Sequence, residues 1–150
     1  MRLVHKIIKH FHQVMHIESE LFLSLLNKLI DPEHAPFWQR AIVLEVYIDI
    51  CNDYELVRSI FKVYDMKEAS TRILHDLVVA LNRIIVSENG LLVIGEYGFT
   101  ENFVLSVSTA SIKMQSIDQL DKAEPPTLPD TYLIYLSLIS LSNMVLYCLI

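Results

Sequence analysis

Apolar residues at Ile73, Leu74, Leu77, Val78, Leu81, Ile84 and Ile85 follow the three- and four-residue steps that gather side chains on one side of an α-helix. Arg72, Asp76 and Arg83 take other faces. The pattern predicts a core helix running to about residue 88 and launched by the turn Tyr64-Asp65-Met66-Lys67-Glu68. Asp65 suits the N-cap, where its carboxylate accepts from an orphaned backbone N–H, and Glu68 can reach back as in a capping box. We take this helix as the element around which the chain is organised.

Residues 2–30 carry a row of Leu3, Ile7, Phe11, Val14, Glu18, Leu21, Leu25 and Leu29, apolar at all but Glu18, with Lys6, Lys9, Gln13, Glu20 and Lys28 largely elsewhere. They form one helix, or two with a break near 17–19. Asp31-Pro32-Glu33-His34-Ala35-Pro36 then turns the chain, because proline cannot continue a helix interior. A second helix over 37–51 places Trp38, Ile42, Val46 and Ile50 at four-residue steps, with Gln39, Glu45, Asp49 and Asn52 at polar positions. A short third, over 54–63, carries Leu56, Val57, Ile60 and Phe61 on one side. Short connections between amphipathic helices favour antiparallel neighbours, as in bundles and stacked α-solenoids.

Asn89-Gly90 stops the helix of the first paragraph, and Gly95 and Gly98 mark an irregular joint across 89–119. Within it, Phe103, Val104, Leu105 and Val107 interleave with Ser and Thr, a pattern open to a strand or a short helix. The proline-rich stretch 121–130 reads as an extended linker, after which Asp130 or Thr131 can cap a last helix ending at Ile150. Residues 131–150 contain no charged side chain, over the length of a membrane span. Ser137, Ser140 and Asn143 nevertheless form a narrow polar stripe, and no Lys or Arg flanks either end as an anchor. A buried helix is the favoured reading, and an integral or tail-anchored membrane protein the alternative.

Composition narrows the class. One domain over 1–150 is expected at this length; more than half the residues are apolar and only 3 are Gly, which points to an all-α fold. A net charge of −6 and a pI near 5.4 leave no footprint for a phosphate backbone, so nucleic-acid binding is not expected. The mean hydropathy of +0.38 suits either a membrane segment or a piece of a larger assembly whose neighbours cover its flanks. Cys51 and Cys148 sit in apolar helical runs and read as reduced thiols in a cytosolic protein. The N-terminus lacks the continuous apolar run and cleavage site of a signal peptide.

Candidate chemistry is sparse. His12 and His16 share an i, i+4 face, but no third ligand stands at a usual spacing. Glu18 with Glu20, and Glu45 with Asp49, read as polar helix positions rather than an enclosed acid–base pair. Gly95-Glu96-Tyr97-Gly98 has too few glycines for a dinucleotide loop, and no nucleophile elbow is present. No enzyme, metal or cofactor is expected. The Tyr-Asp-Met-Lys turn and the acidic proline-rich linker stand out, although on chemistry alone a helix cap and a rigid connector are the favoured explanation.

Glu20-Leu21-Phe22-Leu23-Ser24-Leu25-Leu26, Tyr64-Asp65-Met66-Lys67 with Ser70-Thr71-Arg72, and Leu120-Asp121-Lys122-Ala123-Glu124-Pro125-Pro126-Thr127-Leu128-Pro129 together resemble one family. They are similar to the N-terminal part of the Mon-two family of Golgi and endosome trafficking proteins, in the region of homology upstream of the Sec-seven domain (HUS). The resemblance covers nearly the whole chain and is weakest over 89–119. The exchange factors of the Sec-seven class carry Asn-Tyr-Asp-Cys-Asp or a near variant where this chain has Val63-Tyr64-Asp65-Met66-Lys67. Tyr and Asp carry over, while the flanking Asn and the Cys do not, which moves the match toward the non-catalytic relatives. The resemblance implies an armadillo-like α-solenoid, a fragment of a longer superhelix, working as a scaffold on cytosolic faces of trans-Golgi and endosomal membranes. It implies a Dopey-family partner in endosome-to-Golgi transport, links to Arf-like GTPases and flippases, self-association, and packing against a neighbouring dimerisation and cyclophilin-binding domain. Tyr64, Asp65, Met66 and Lys67, with Glu124, Pro125 and Pro126 of the linker, are the implied interaction residues. A regulatory fragment of an Arf-type exchange factor is a further alternative.

Overall fold

A computed structural model of the chain describes residues 2–68, 71–87, 101–115 and 128–148. The described residues are helical: α1 (Arg2–Phe11), α2 (His16–Leu29), α3 (Phe37–Cys51), α4 (Tyr54–Ile60) running into a π turn (Phe61–Asp65), α5 (Ile73–Ser87), α6 (Glu101–Gln115) and α7 (Asp130–Cys148). The all-α expectation holds.

The centre of the fold is α3 rather than α5. Ala41, Val43, Leu44, Val46, Tyr47, Ile50 and Cys51 are all buried, so apolar residues cover most of this helix and neighbours pack on it, with Glu45 and Asp49 on its part-open side. Packing against α3 come α1 and α2 from one side, α4 from its C-terminal end, and α7 along its length. α7 also packs on α5, and α6 packs on α7. Burial pushes the Cys51 thiol up to about 12, which keeps it protonated and inert. The side chain of Cys148 lies outside the described residues.

The buried or half-buried Arg40, Tyr47 and Asn27 on and beside α3 are paired, as desolvation requires. Arg40 is buried and its Nε donates to the Ile30 carbonyl (2.9 Å) at the C-terminal end of α2, where orphaned carbonyls and the helix dipole favour a cation. The Tyr47 hydroxyl donates to Asn27 Oδ1, and Asn27 Nδ2 donates to the Ile73 carbonyl (2.9 Å). One polar relay therefore joins α3, α2 and the start of α5.

The last helix is an interior element. Tyr132, Leu133, Leu136, Ser137, Ser140 and Met144 are buried, and two side-chain bonds brace α7 against α3: Tyr132 Oη donates to Glu45 Oε1 (2.6 Å) and Asn143 Nδ2 to Asn52 Oδ1 (2.7 Å). These bonds set α7 running in the same sense as α3. The polar stripe of Ser137, Ser140 and Asn143 faces protein, and Ser140 Oγ donates to the Leu136 carbonyl of its own helix. Among the described residues no helix is long and apolar enough to cross a membrane. α7 begins at Asp130 itself, with Tyr132 N donating to the Pro129 carbonyl (2.9 Å), so Asp130 is a helical residue and not its cap. The Thr131 hydroxyl is buried without a partner among the described residues.

Two further boundaries differ from expectation. The break in the N-terminal segment falls at residues 12–15, ahead of 17–19, because buried His12 folds its Nδ1 back onto the Ile8 and Lys9 carbonyls (2.9 and 3.1 Å) and closes α1. Residues 101–115, inside the stretch expected to be an irregular joint, form a helix. Its hydroxyls bond inward, Ser108 Oγ to the Val104 carbonyl and Thr109 Oγ1 to the Leu105 carbonyl (2.8 Å each), which satisfies the groups that usually pull Ser and Thr out of helices. The remainder of 89–119 and all of 121–127 lie outside the described residues.

Asp53 couples α1 to α4: Oδ1 caps α4 by accepting from Leu56 N (3.2 Å), and Oδ2 accepts from Lys9 Nζ (2.5 Å) with His5 Nε2 at 3.5 Å. Burial pushes its carboxyl up, but the Lys9 and Leu56 donors and the Lys9 charge outweigh that and hold it below the ordinary carboxylate value. A depressed folded value means stability present above the unfolded value and lost as pH falls through the folded one. In urea titrations, Asp53→Asn should therefore lower stability at neutral pH, and the gap from wild type should close as pH falls below the carboxylate range; a pH-independent gap would contradict the pairing.

Candidate functional site

The Tyr-Asp turn is built by the π turn that ends α4. Its wider loop, closed by Met66 N donating to the Phe61 carbonyl (3.1 Å), adds a residue to the turn and re-aims the side chains that follow. Tyr64 is driven inward, almost wholly buried, and its hydroxyl donates to the His16 carbonyl (3.0 Å) while the Ser19 hydroxyl is a second partner. Burial, ahead of every other influence, raises its phenol above the ordinary value. Tyr64 thereby nails the end of α4 to the start of α2.

Asp65 does cap α5, but from a distance. α5 starts at Ile73, not at Met66. The Asp65 carboxylate accepts from Leu74 N (3.1 Å to each oxygen) and His75 N (3.0 Å), the second and third amides of that helix. These are the orphaned donors that a local N-cap would satisfy; the residue in local cap position, Arg72, has no acceptor to offer. Glu68 lies in the exposed turn before the helix, so the capping-box expectation fails: Met66 to Glu68 are not its first turn.

Two residues whose role single-helix reasoning missed complete the clamp. Glu20 Oε1 accepts from Thr71 N (3.1 Å) and from Thr71 Oγ1, and Asn27 holds the Ile73 carbonyl as above. Glu20 and Thr71 both fall within the family-like stretches, which was the available signal. The outcome is a turn whose inner residues, Tyr64 and Asp65, are fixed by α2 and α5 while Met66 and Lys67 are exposed. Glu124, Pro125 and Pro126 lie outside the described residues.

The other candidates serve structure. His12 Nε2 meets Ser59 Oγ at 2.7 Å; with Nδ1 donating to carbonyls, Nε2 is the acceptor in the neutral ring. His16 is exposed at the start of α2 and does not converge on it. Among the described residues no three His, Cys, Asp or Glu are grouped to hold a metal. Glu45 is half-buried and its carboxyl is raised, first by burial, against the lowering effect of Tyr132; it lines, with Asp49, Tyr132 and Tyr135, an open groove of about 570 Å³ between α3, α6 and α7. A carboxylate spent on holding a tyrosine is a brace.

Residues 1–73 match the family model described as Sec7-like HUS, Mon2/Sec7/BIG1-like, HUS domain. The chain is 31% identical to the human Protein MON2 homolog over 171 aligned residues, covering 88% of this chain and 10% of that protein. It is 39% identical to the Drosophila melanogaster Protein MON2 homolog over 85 residues (57% of this chain, 5% of that protein), and 24% identical to that of Schizosaccharomyces pombe over 174 (95% and 11%). The chain belongs to the Mon2 family. It spans about a tenth of the length of the human relative, in the HUS region, and the family is one of membrane-trafficking scaffolds. No solved structure matches. The family-model match ends at Ile73, the first residue of the helix that Asp65 caps, so the contacts of Tyr64 with His16 and of Glu20 with Thr71 lie within it.

Asp65→Ala should cost about 0.5–2 kcal/mol in urea unfolding, with Asp65→Asn recovering part of it through its amide oxygen. Equal midpoints for wild type and Asp65→Ala would contradict a capping role.

Proposed function

We propose that this chain is a non-catalytic assembly module of a Mon2-type trafficking scaffold, and that its exposed turn at Met66 and Lys67 is a partner contact. The observation that carries the reading is the construction of that turn: five residues from two other helices, His16, Ser19, Glu20, Leu74 and His75, hold Tyr64, Asp65 and Thr71 in place. Such bracing presents a rigid, preorganised surface, which lowers the entropy cost of binding. The partner in this reading is a Dopey-type protein together with the neighbouring N-terminal domain, in endosome-to-Golgi transport, with Arf-like GTPases and self-association as further contacts. The full-length protein works peripherally on cytosolic faces of trans-Golgi and endosomal membranes.

The architecture in this reading is an armadillo-like stack, one domain over 1–150 with 121–130 as its linker, continued by further helices of a longer superhelix. Supporting it are the common sense of α3 and α7, as in successive units of a stack, and the exposed apolar residues Val104, Leu105 and Ile112 on α6 and Val145 and Leu146 on α7, a face that further helices would cover. The test is a pull-down from cytosol with Met66→Ala/Lys67→Glu in the longer protein. The variant should lose the Dopey-type partner without a change in melting temperature, because both positions are exposed. Undiminished capture of that partner by a folded variant would remove the turn from the interface.

A further inference from the structure

We propose that the groove between α3, α6 and α7 seats an arginine carried by a helix of the longer protein, its guanidinium meeting the carboxylates of Glu45 and Asp49 and the rings of Tyr132 and Tyr135. The inference rests on the reading of the chain as a segment of a longer helical stack. Glu45 and Asp49 stand one turn apart on α3 and share a face. Both are half-buried, and both line the groove. Tyr132 and Tyr135 line it from α7, and Ile48, Ile112 and Leu136 give it apolar walls. Glu45 Oε1 holds the Tyr132 hydroxyl (2.6 Å), while Asp49 makes no hydrogen bond or ion pair among the described residues.

Charge complementarity names the occupant. Among the described residues no Lys, Arg or His lines this groove. Lys6 and Lys9 border Asp49 only in a second groove toward α1, where Lys9 pairs with Asp53 and neither bonds Asp49. Lys113 of α6 is exposed and is not a lining residue. Two like charges a turn apart and half out of water repel each other. Burial raises the Glu45 carboxyl ahead of the lowering bond from Tyr132, and Asp49 raises it further. A cation between them relieves the repulsion. Arginine suits the place better than lysine, because its planar, weakly hydrated guanidinium donates to two carboxylates at once and stacks on tyrosine. A helix is the carrier because the groove adjoins an apolar face: Ile112, exposed by 67%, lines the groove and belongs to the open face of α6 and α7. A helix laid on that face brings its apolar side onto Ile112 and a basic residue down to the acids. A second copy is the poorer occupant, since two chains of net charge −6 repel.

The test is carbodiimide coupling of glycine ethyl ester to carboxylates, read by peptide mass, in the longer protein and in the 150-residue chain. Asp49 should label in the chain, lose that labelling in the folded longer protein, and regain it there in urea. Asp49→Arg in the longer protein should restore labelling of Glu45, and Asp49→Asn, of the same shape, should restore part of it. Neither substitution should move the melting temperature of the 150-residue chain, because Asp49 holds nothing within it. Equal labelling of Asp49 in both folded proteins overturns the proposal, as does a Glu45 that both variants leave protected. Protection that appears in the chain alone, with a dimer in light scattering, overturns it in favour of a second copy. Carbene labelling of Val145 and Leu146, exposed on α7, separates this result from the stack reading. Their protection in the longer protein beside a labelled Asp49 keeps the stack and removes the seated arginine; labelling of all three removes both.

Discussion

Everything in this structure depends on hiding α3. A helix with buried apolar side chains over most of its surface cannot face water there, and each large side chain it buries contributes about 1.5–3 kcal/mol. The chain meets the demand by bringing helices from both ends of the sequence: α1 and α2 precede α3, while α7 arrives from about ninety residues later and packs along its length. Removing α7 from that contact would expose its own Leu133 and Leu136, both buried in the folded chain. The absence of charge in 131–150 follows from this position, since a helix that packs on α3, α5 and α6 has little surface left to charge.

Polar cross-braces then decide which arrangement of helices is adopted. Hydrophobic burial is non-directional, whereas Tyr132 with Glu45, Asn143 with Asn52, Tyr47 with Asn27, and Asp65 with the amides of α5 each need one geometry. Left unpaired, the buried hydroxyls among them, those of Tyr47 and Tyr132, would each cost about 1–3 kcal/mol, so they penalise alternative registers. The Tyr-Asp turn is where several braces meet, and that is why it projects Met66 and Lys67 from a fixed base.

Helix class, the proline turn at 31–36 and the terminal helix were legible because periodicity and chain breakers act locally. Periodicity alone marks the helical core of α5 from Ile73 to Ile85, and the type and place of Asp65 mark it as a cap. The start of α5 was not legible, because the cap is not contiguous with its helix: the π turn after Ile60 and the contacts of Glu20 and Asn27 act over some fifty residues of sequence. Residues 101–115 were ambiguous for a different reason, since Ser and Thr favour strands and turns unless their hydroxyls bond back to the helix, as Ser108 and Thr109 do. The row from Leu3 to Leu25 was visible as a pattern, but a pattern alone cannot say whether it faces the core; Ile8 and His12, one position along, are the residues that do. Met66 and Lys67 at the rim of the turn were anticipated, and both are exposed.

Native-state hydrogen exchange, followed residue by residue, tests the central role of α3 most directly. If α3 and α7 form one cooperative unit, their amides should share the slowest exchange and the same opening free energy under increasing urea, while the outer helix α1 opens earlier. Exchange of α7 at low urea, with α3 still fully protected, would contradict the account and make the last helix a peripheral attachment.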